Sequence, residues 1–363
     1  MLDFANALYL GWRHPAHTLG GWAALTTGQP AWLAEVPGSR RLAAGLARLQ
    51  GLPAATLCTS SLHLFWDLFG LLAHARCLIL FDAACYPVLG WGVERAQGRG
   101  ARVQRFAAHD AQALARHLQQ ARAQGWQAVI VSEGFTPALG RFAPLPQYAE
   151  LAQQYGALLV LDDTQALGLF DAPQAGHPCG VGGGGSVSRF GLQDAPVLVG
   201  SSLAKAFGAP LAALAGAREL IAEFDMRAAT REHSSPPNQA AVNAALRALT
   251  LNGTEGEARR QRLWRNLAHW RQGVAQLGLE SGGGLFPQQT LLGPWDWADL
   301  YRFLRRRGVR SLLRNAARGL SFILNADHER EQIAFVLQLI ADWLQRQPSD
   351  VYGIERRDHA FSI

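Results

Sequence analysis

Two apolar runs constrain this chain most: ALLVLDD at 157–163 and PVLVGSSLAKAFG at 196–208. Each begins as an unbroken stretch of aliphatic and branched side chains, the pattern of a strand covered on both faces. Similar short runs recur at 77–81, 102–106, 128–131 and 211–215, with helical patterns at 40–49, 62–73, 111–124 and 145–155. The alternation predicts an α/β fold, a mainly parallel sheet with helices on both faces.

The organisation changes beyond Pro236-Pro237, where a long helical stretch runs to about residue 277 and a glycine break follows at 281–284. The rest reads as a smaller α+β unit, with extended runs at 285–292, 308–312 and 320–324 and helices at 295–307 and 328–345. The expected division is an N-terminal segment at 1–40, a large domain at 41–250, a small domain at 251–346 and a polar tail at 347–363. A Gly- and Pro-rich segment at 171–196, with glycine at 182–185, is expected to be a flexible loop between the two key strands.

A chain of 363 residues, 49% apolar and 17% charged, can build a large core, which excludes disorder. No apolar run reaches the roughly 18 residues of a membrane span, and MLDFANALYLGWRHP lacks a secretory pattern. The cysteines (Cys58, Cys77, Cys85 and Cys179) show no CxxC spacing. Reduced thiols, a cytoplasmic location and no metal site are expected. The net charge of +6 raises nucleic-acid binding, but the excess is arginine and no recognition motif accompanies it. The cluster from Arg302 to Arg318 reads as a solvated face or as a contact for a phosphate or carboxylate ligand.

Chemistry concentrates where the two runs end. One closes on the pair Asp162-Asp163; the other leads into Lys205, the only lysine in the chain. A buried acid can keep a pyridine nitrogen protonated, and a primary amine can form an imine with an aldehyde, which arginine cannot do. Together they are the requirements of pyridoxal 5'-phosphate (PLP). Thr59, Ser60 and Ser61 open a helix, where hydroxyls and free N–H groups suit a phosphate or simply cap the helix.

The motifs, read in order, resemble the α-oxoamine synthase group of fold-type I PLP enzymes, within the class I/II aminotransferases. FANALYLGWRHP (4–15) is similar to the group's opening "F.SNDYLGL..HP". SEGFTPALGRFAPL (132–145) resembles "EGVFSMDGDIAPL", LVLDDTQALG (159–168) "LLVDEAHS.G", SSLAKAFG (201–208) "GT.SKA.G", SSPP (234–237) "ST..PP", and LNADH (324–328) "L.A.HT". The resemblance implies a seven-stranded, mainly parallel sheet with a smaller α+β C-terminal domain, and a homodimer whose cofactor lies at the subunit boundary. It implies Lys205, Asp162 and Tyr86 as catalytic, Tyr86 stacking on the ring. Cofactor contacts would also come from Gln165, Ser202, Ser60, Ser61, Leu62, Glu133 and Ser234, with Ser234, Ser235 or His233 reaching the neighbouring subunit's phosphate. Asp163 stands where the group has glutamate and is expected to serve structure.

The departures bear on the reaction. Gln165 and Tyr86 replace two histidines, and Ser321 replaces the arginine that clamps the substrate carboxylate. Arg314 or Arg318 would have to substitute, or both are surface residues. The expected function is acyl transfer from an acyl thioester, which a carrier protein could present, to an amino acid, with loss of CO2. An aminotransferase acting on an amino acid or amine, and a non-catalytic binding homologue, are the alternatives. Neither nucleic acid nor membrane is expected as a partner.

Overall fold

A computed structural model describes residues 1–314 and 319–347 of the chain. Its main sheet has seven strands: β1 (Ala54–Cys58), β2 (Cys77–Asp82), β3 (Arg102–Phe106), β4 (Gln127–Glu133), β5 (Leu158–Asp162), β6 (Val197–Ser202) and β7 (Ala212–Gly216). Their spatial order is β1-β7-β6-β5-β4-β2-β3. Only β7 runs against its neighbours. All six other strands therefore deliver their carboxyl ends to one edge, the place where ligands bind in open α/β sheets.

The interiors of β2, β4, β5, β6 and β7 are buried because helices cover both faces, whereas the edge strand β3 buries only Phe106. One side holds α2 (Ser61–Leu72) and α3 (Pro87–Gly98), which follow α1 (Ser39–Gln50) in the chain, over Ile79, Val131, Val160 and Leu214. The other holds α4 (Ala111–Ala123) and α5 (Leu145–Tyr155) over Leu80, Ile130, Leu159 and Val199. Along β4 and β5 alternate residues thus enter opposite apolar layers, which removes the polar alternation from the sequence.

A four-stranded antiparallel sheet comprises β8 (Glu280–Gly282), β9 (Gln288–Leu292), β10 (Leu312–Leu313) and β11 (Leu320–Ile323), ordered β8-β9-β11-β10. It shares a core with the N-terminal segment and the long helices, through Phe4, Trp270 and Phe322. Leu2–Asp3 pairs in parallel with Val309–Arg310, tying the chain's start to this unit.

Two expectations are corrected. The stretch after Pro236-Pro237 is two helices, Gln239–Thr254 and Gly256–Gln276, meeting at Glu255. The glycine run is not a flexible loop. Gly183 accepts from the Gly168 N–H at 2.8 Å, Gly184 donates to Asp171 Oδ2 at 2.7 Å and Gly185 donates to the Phe170 carbonyl at 2.8 Å. The run leads into a short helix, Gly185–Phe190. Glycine is required because a Cβ on Gly185, at φ +81°, would stand 2.1 Å from the Asp163 carboxylate. Of the tail expected at 347–363, all but Gln347 lies outside the described residues. The four cysteines are free thiols, and no helix among the described residues is long and apolar enough to cross a membrane.

Candidate active site

Three adjacent strands end in a buried carboxylate: β2 in Asp82, β4 in Glu133 and β5 in Asp162. Glu133 and Asp162 are register partners, and Asp162 is paired on its other side with Gly200 of β6. Two residues along β6, Ser202 closes the strand, and a turn then carries Lys205. Backbone bonds brace that turn: Gly208 N–H to the Lys205 carbonyl at 3.2 Å and Ala209 N–H to the Leu203 carbonyl at 3.0 Å. The N-terminal segment buttresses it, with His14 Nε2 2.8 Å from the Phe207 carbonyl oxygen. Gly208 is at φ +61°, and a Cβ there would lie 2.1 Å from the Trp12 carbonyl oxygen, so only glycine fits.

Asp162 accepts from the Thr164 N–H at 2.9 Å. The Thr164 hydroxyl, in turn, accepts from the Ser202 N–H at 2.9 Å. Burial pushes the Asp162 carboxyl above its ordinary range, while the Thr164 bonds and the Lys205 charge oppose the rise. Burial lowers Lys205, against the pull of Asp162. Burial, then the Asp162 charge, raises Glu133 to about 8, against bonds from Thr136 and from the Tyr86 N–H, which donates to Glu133 Oε1 at 2.9 Å. The Tyr86 ring itself is exposed at the start of α3. Asp163 points elsewhere: it accepts from the Ser186 N–H and hydroxyl, clamping the glycine-run helix to the end of β5.

Gln165 follows Asp162 by one short turn, and its Oε1 accepts from the buried Tyr9 hydroxyl at 2.7 Å. With the oxygen engaged, the Gln165 amide keeps its NH2 to donate. Ser60 caps α2 and lies 2.8 Å from His63 Nδ1; Ser61 begins the helix and Leu62 is exposed beside it. Cys58 and Ser202 both pair with Ala212, so the end of β1 that leads into α2 and Ser202 lie two strands apart, about 10 Å by strand spacing.

The geometry thus brings Asp162, Glu133, Gln165, Ser202, Lys205 and Tyr86 to one stretch of the sheet edge, with Ser60 and Ser61 on its flank. Ser234 sits with Thr59, whose hydroxyl donates to the Ser235 carbonyl; the Ser234 hydroxyl donates to Thr230 of the same chain. Arg314 is exposed at the end of β10, and no described bond joins it to the residues above. Arg318 lies outside the described residues. Ser321 is buried, its hydroxyl 2.8 Å from that of Thr290. The sequence reading did not single out Thr164, Tyr9, Asp82, His109 or Thr136. Tyr9, Thr136 and Thr164 stood inside quoted motifs without a role of their own; Asp82 and His109 are polar residues outside them, brought to the site by the fold.

The donor set suits PLP: one amine with a lowered pKa, a buried acid aligned with it, a neutral amide donor, and hydroxyls beside a helix N-terminus. The fold agrees. A serine palmitoyltransferase from Sphingomonas wittichii superposes with a TM-score of 0.82 at 17% identity, over 94% of this chain and 86% of that one. The structure of an 8-amino-7-oxononanoate synthase from Francisella tularensis gives 0.72 at 17% identity, over 95% and 98%. The architecture is that of the fold-type I PLP transferases.

Sequence carries the assignment further. The aminotransferase class I and II family model matches residues 38–294. The 8-amino-7-oxononanoate synthase of Pseudomonas fluorescens is 30% identical over 373 aligned positions, 96% of this chain and 90% of that protein. Its counterpart in Nitrosococcus oceani is 34% identical over 256 positions, 68% of this chain and 64% of that protein. The chain belongs to the aminotransferase class I and II family, in its α-oxoamine synthase group of PLP-dependent enzymes.

Proposed function

We propose that this enzyme joins the acyl group of an acyl thioester to the α-carbon of an amino acid, releasing the thiol and CO2. The alignment of Asp162 with the Lys205 turn across β5 and β6 is the observation that carries the reading. Bound PLP supplies an electron sink for charge generated at the amino acid's α-carbon.

The chain's own residues divide the remaining work. Lys205 supplies the amine that holds the cofactor; its lowered pKa keeps more of it neutral, and the freed Nζ can move the α-carbon proton. Asp162, tied down by Thr164, holds the proton on the ring nitrogen. Gln165, its oxygen occupied by Tyr9, donates an uncharged N–H to the cofactor's phenolic oxygen. Ser202, Ser60, Ser61 and the first N–H groups of α2 receive the phosphate, with Leu62 beside them. Glu133 anchors the loop from which Tyr86 covers the ring face. Arg314 and Arg318 are assigned to the substrate carboxylate, since Ser321 and Thr290 offer no charge for it.

A homodimer completes this reading, with Ser234 extending toward the partner's phosphate site. Leu62 and Trp66 on α2, Trp91 on α3, and Trp32 and Leu33 near the N-terminus expose apolar surface suited to a second copy. The domain division at residues 40, 250 and 346 and a cytoplasmic location belong to the same proposal, the free thiols fitting a reducing compartment.

The test incubates PLP-loaded protein with a panel of amino acids and acyl thioesters and follows thiol release. Release that needs both substrates supports acyl transfer. Keto-acid formation without thioester would instead mean transamination, and no turnover with any pair would mean a non-catalytic homologue.

A further inference from the structure

His109 is one of two non-glycine residues among those described with a left-handed backbone, at φ +59°. That conformation costs free energy, so something must hold it. Its N–H reaches Asp82 Oδ2 at 3.3 Å, and its ring turns back so that Nε2 lies 3.1 Å from the Thr136 hydroxyl. Thr136 is buried three residues beyond Glu133, where its hydroxyl favours the ionised Glu133 carboxyl. Glu133 accepts from the Tyr86 N–H. His109 and Thr136 on one side and Glu133 and the Tyr86 backbone on the other are thus two bonded pairs, brought together by the short step from Glu133 to Thr136.

The direction of the bonds follows from what is left over. His109 Nδ1 is buried without a partner. An unmatched acceptor lone pair is cheaper to bury than an unmatched N–H. The proton therefore sits on Nε2, which donates to Thr136, and the Thr136 hydroxyl is left to donate to Glu133. The groups facing Glu133 agree. Asp162 on β5 and Asp82 on β2 repel its charge, the same three carboxyls bear on Cys85, and Lys205 bears on Asp162. His109 itself faces Asp82 and Arg141. Neutral donors are what hold Glu133 as an acceptor.

We propose that His109 and Thr136 are positioning residues of the cofactor site: His109 orients the Thr136 hydroxyl onto Glu133, and Glu133 thereby fixes Tyr86 at the cofactor's ring. The inference rests on the PLP reading above and adds to it a relay on the far side of β4.

The test titrates apoprotein with PLP, reads the visible absorbance, and then follows the bound spectrum as pH is varied. Thr136→Val keeps the side chain's shape and removes the hydroxyl. It is expected to weaken PLP binding about fivefold to tenfold, the effect of one lost buried hydrogen bond. It should also move upward the spectral inflection that is assigned to Glu133 by its loss in Glu133→Gln, since Thr136 lowers the Glu133 carboxyl. Thr136→Ser should restore both properties. His109→Asn, which tolerates the left-handed backbone, should act in the same direction, and the double variant should be no worse than either single one. Wild-type affinity and inflection in both Thr136→Val and His109→Asn would overturn the relay alone. Failure of the wild-type protein to bind PLP would overturn the cofactor reading and the relay with it.

Discussion

Glu133 illustrates how burial sets the chemistry of a single side chain here. Its ordinary value is 4.5 and in the fold it is raised to about 8, burial being the larger cause. Between those values the folded protein keeps a proton that the unfolded chain has lost. Stability from this group therefore falls as pH rises from about 4.5 to about 8 and is level above that. Glu133→Gln removes the titration, so in urea melts of apoprotein its stability should decline less across that window than the wild type's. Equal slopes would show that Glu133 ionises normally. Lys205 stands out differently: of 34 basic residues it is the sole lysine, a departure that the bare sequence displayed. Asp162 was equally legible, as the polar end of an apolar run. Thr164, Thr136 and His109 were not, because each also bonds a residue far away in sequence: Thr164 the Ser202 N–H, and His109 and Thr136 each other.

At the level of elements, α2 matters most, since its N-terminus flanks the site. Asp67 fixes it from the middle. The buried carboxylate accepts from the Thr230 N–H and hydroxyl, at 3.1 and 2.5 Å, and pairs with Arg95 of α3 at 3.2 Å. Asp67→Ala leaves the half-buried Arg95 without its carboxylate, at a cost of about 3 kcal/mol in unfolding free energy. Chemical denaturation measures that loss; a change under about 0.5 kcal/mol, ordinary for surface substitutions, would show that α2 is held otherwise. The strands and helices with strong periodicity were legible within a residue or two. β1 was not, because AATLC is short and starts on small residues, and α3 was masked by the glycines in PVLGWGVERAQG. The glycine run misled for a physical reason. Glycine marks freedom in the unfolded chain, but here it marks close approach to Asp163 and Gly168.

For the whole molecule, exposed tryptophans on α2, α3 and the N-terminal segment are expected to disappear between two copies. Gel filtration should therefore give about twice the 39.4 kDa chain mass, and a monomer that binds PLP normally would contradict the shared boundary. The central claim is narrower and more directly tested. Protein saturated with PLP is treated with borohydride, digested, and its peptides mapped by mass. Lys205 is the only side-chain amine, so the alternative attachment point is the amino terminus. The account predicts one reduced pyridoxyl group per chain, on Lys205, and none in Lys205→Ala. Labelling confined to the amino terminus, or equal labelling of Lys205→Ala, would contradict it.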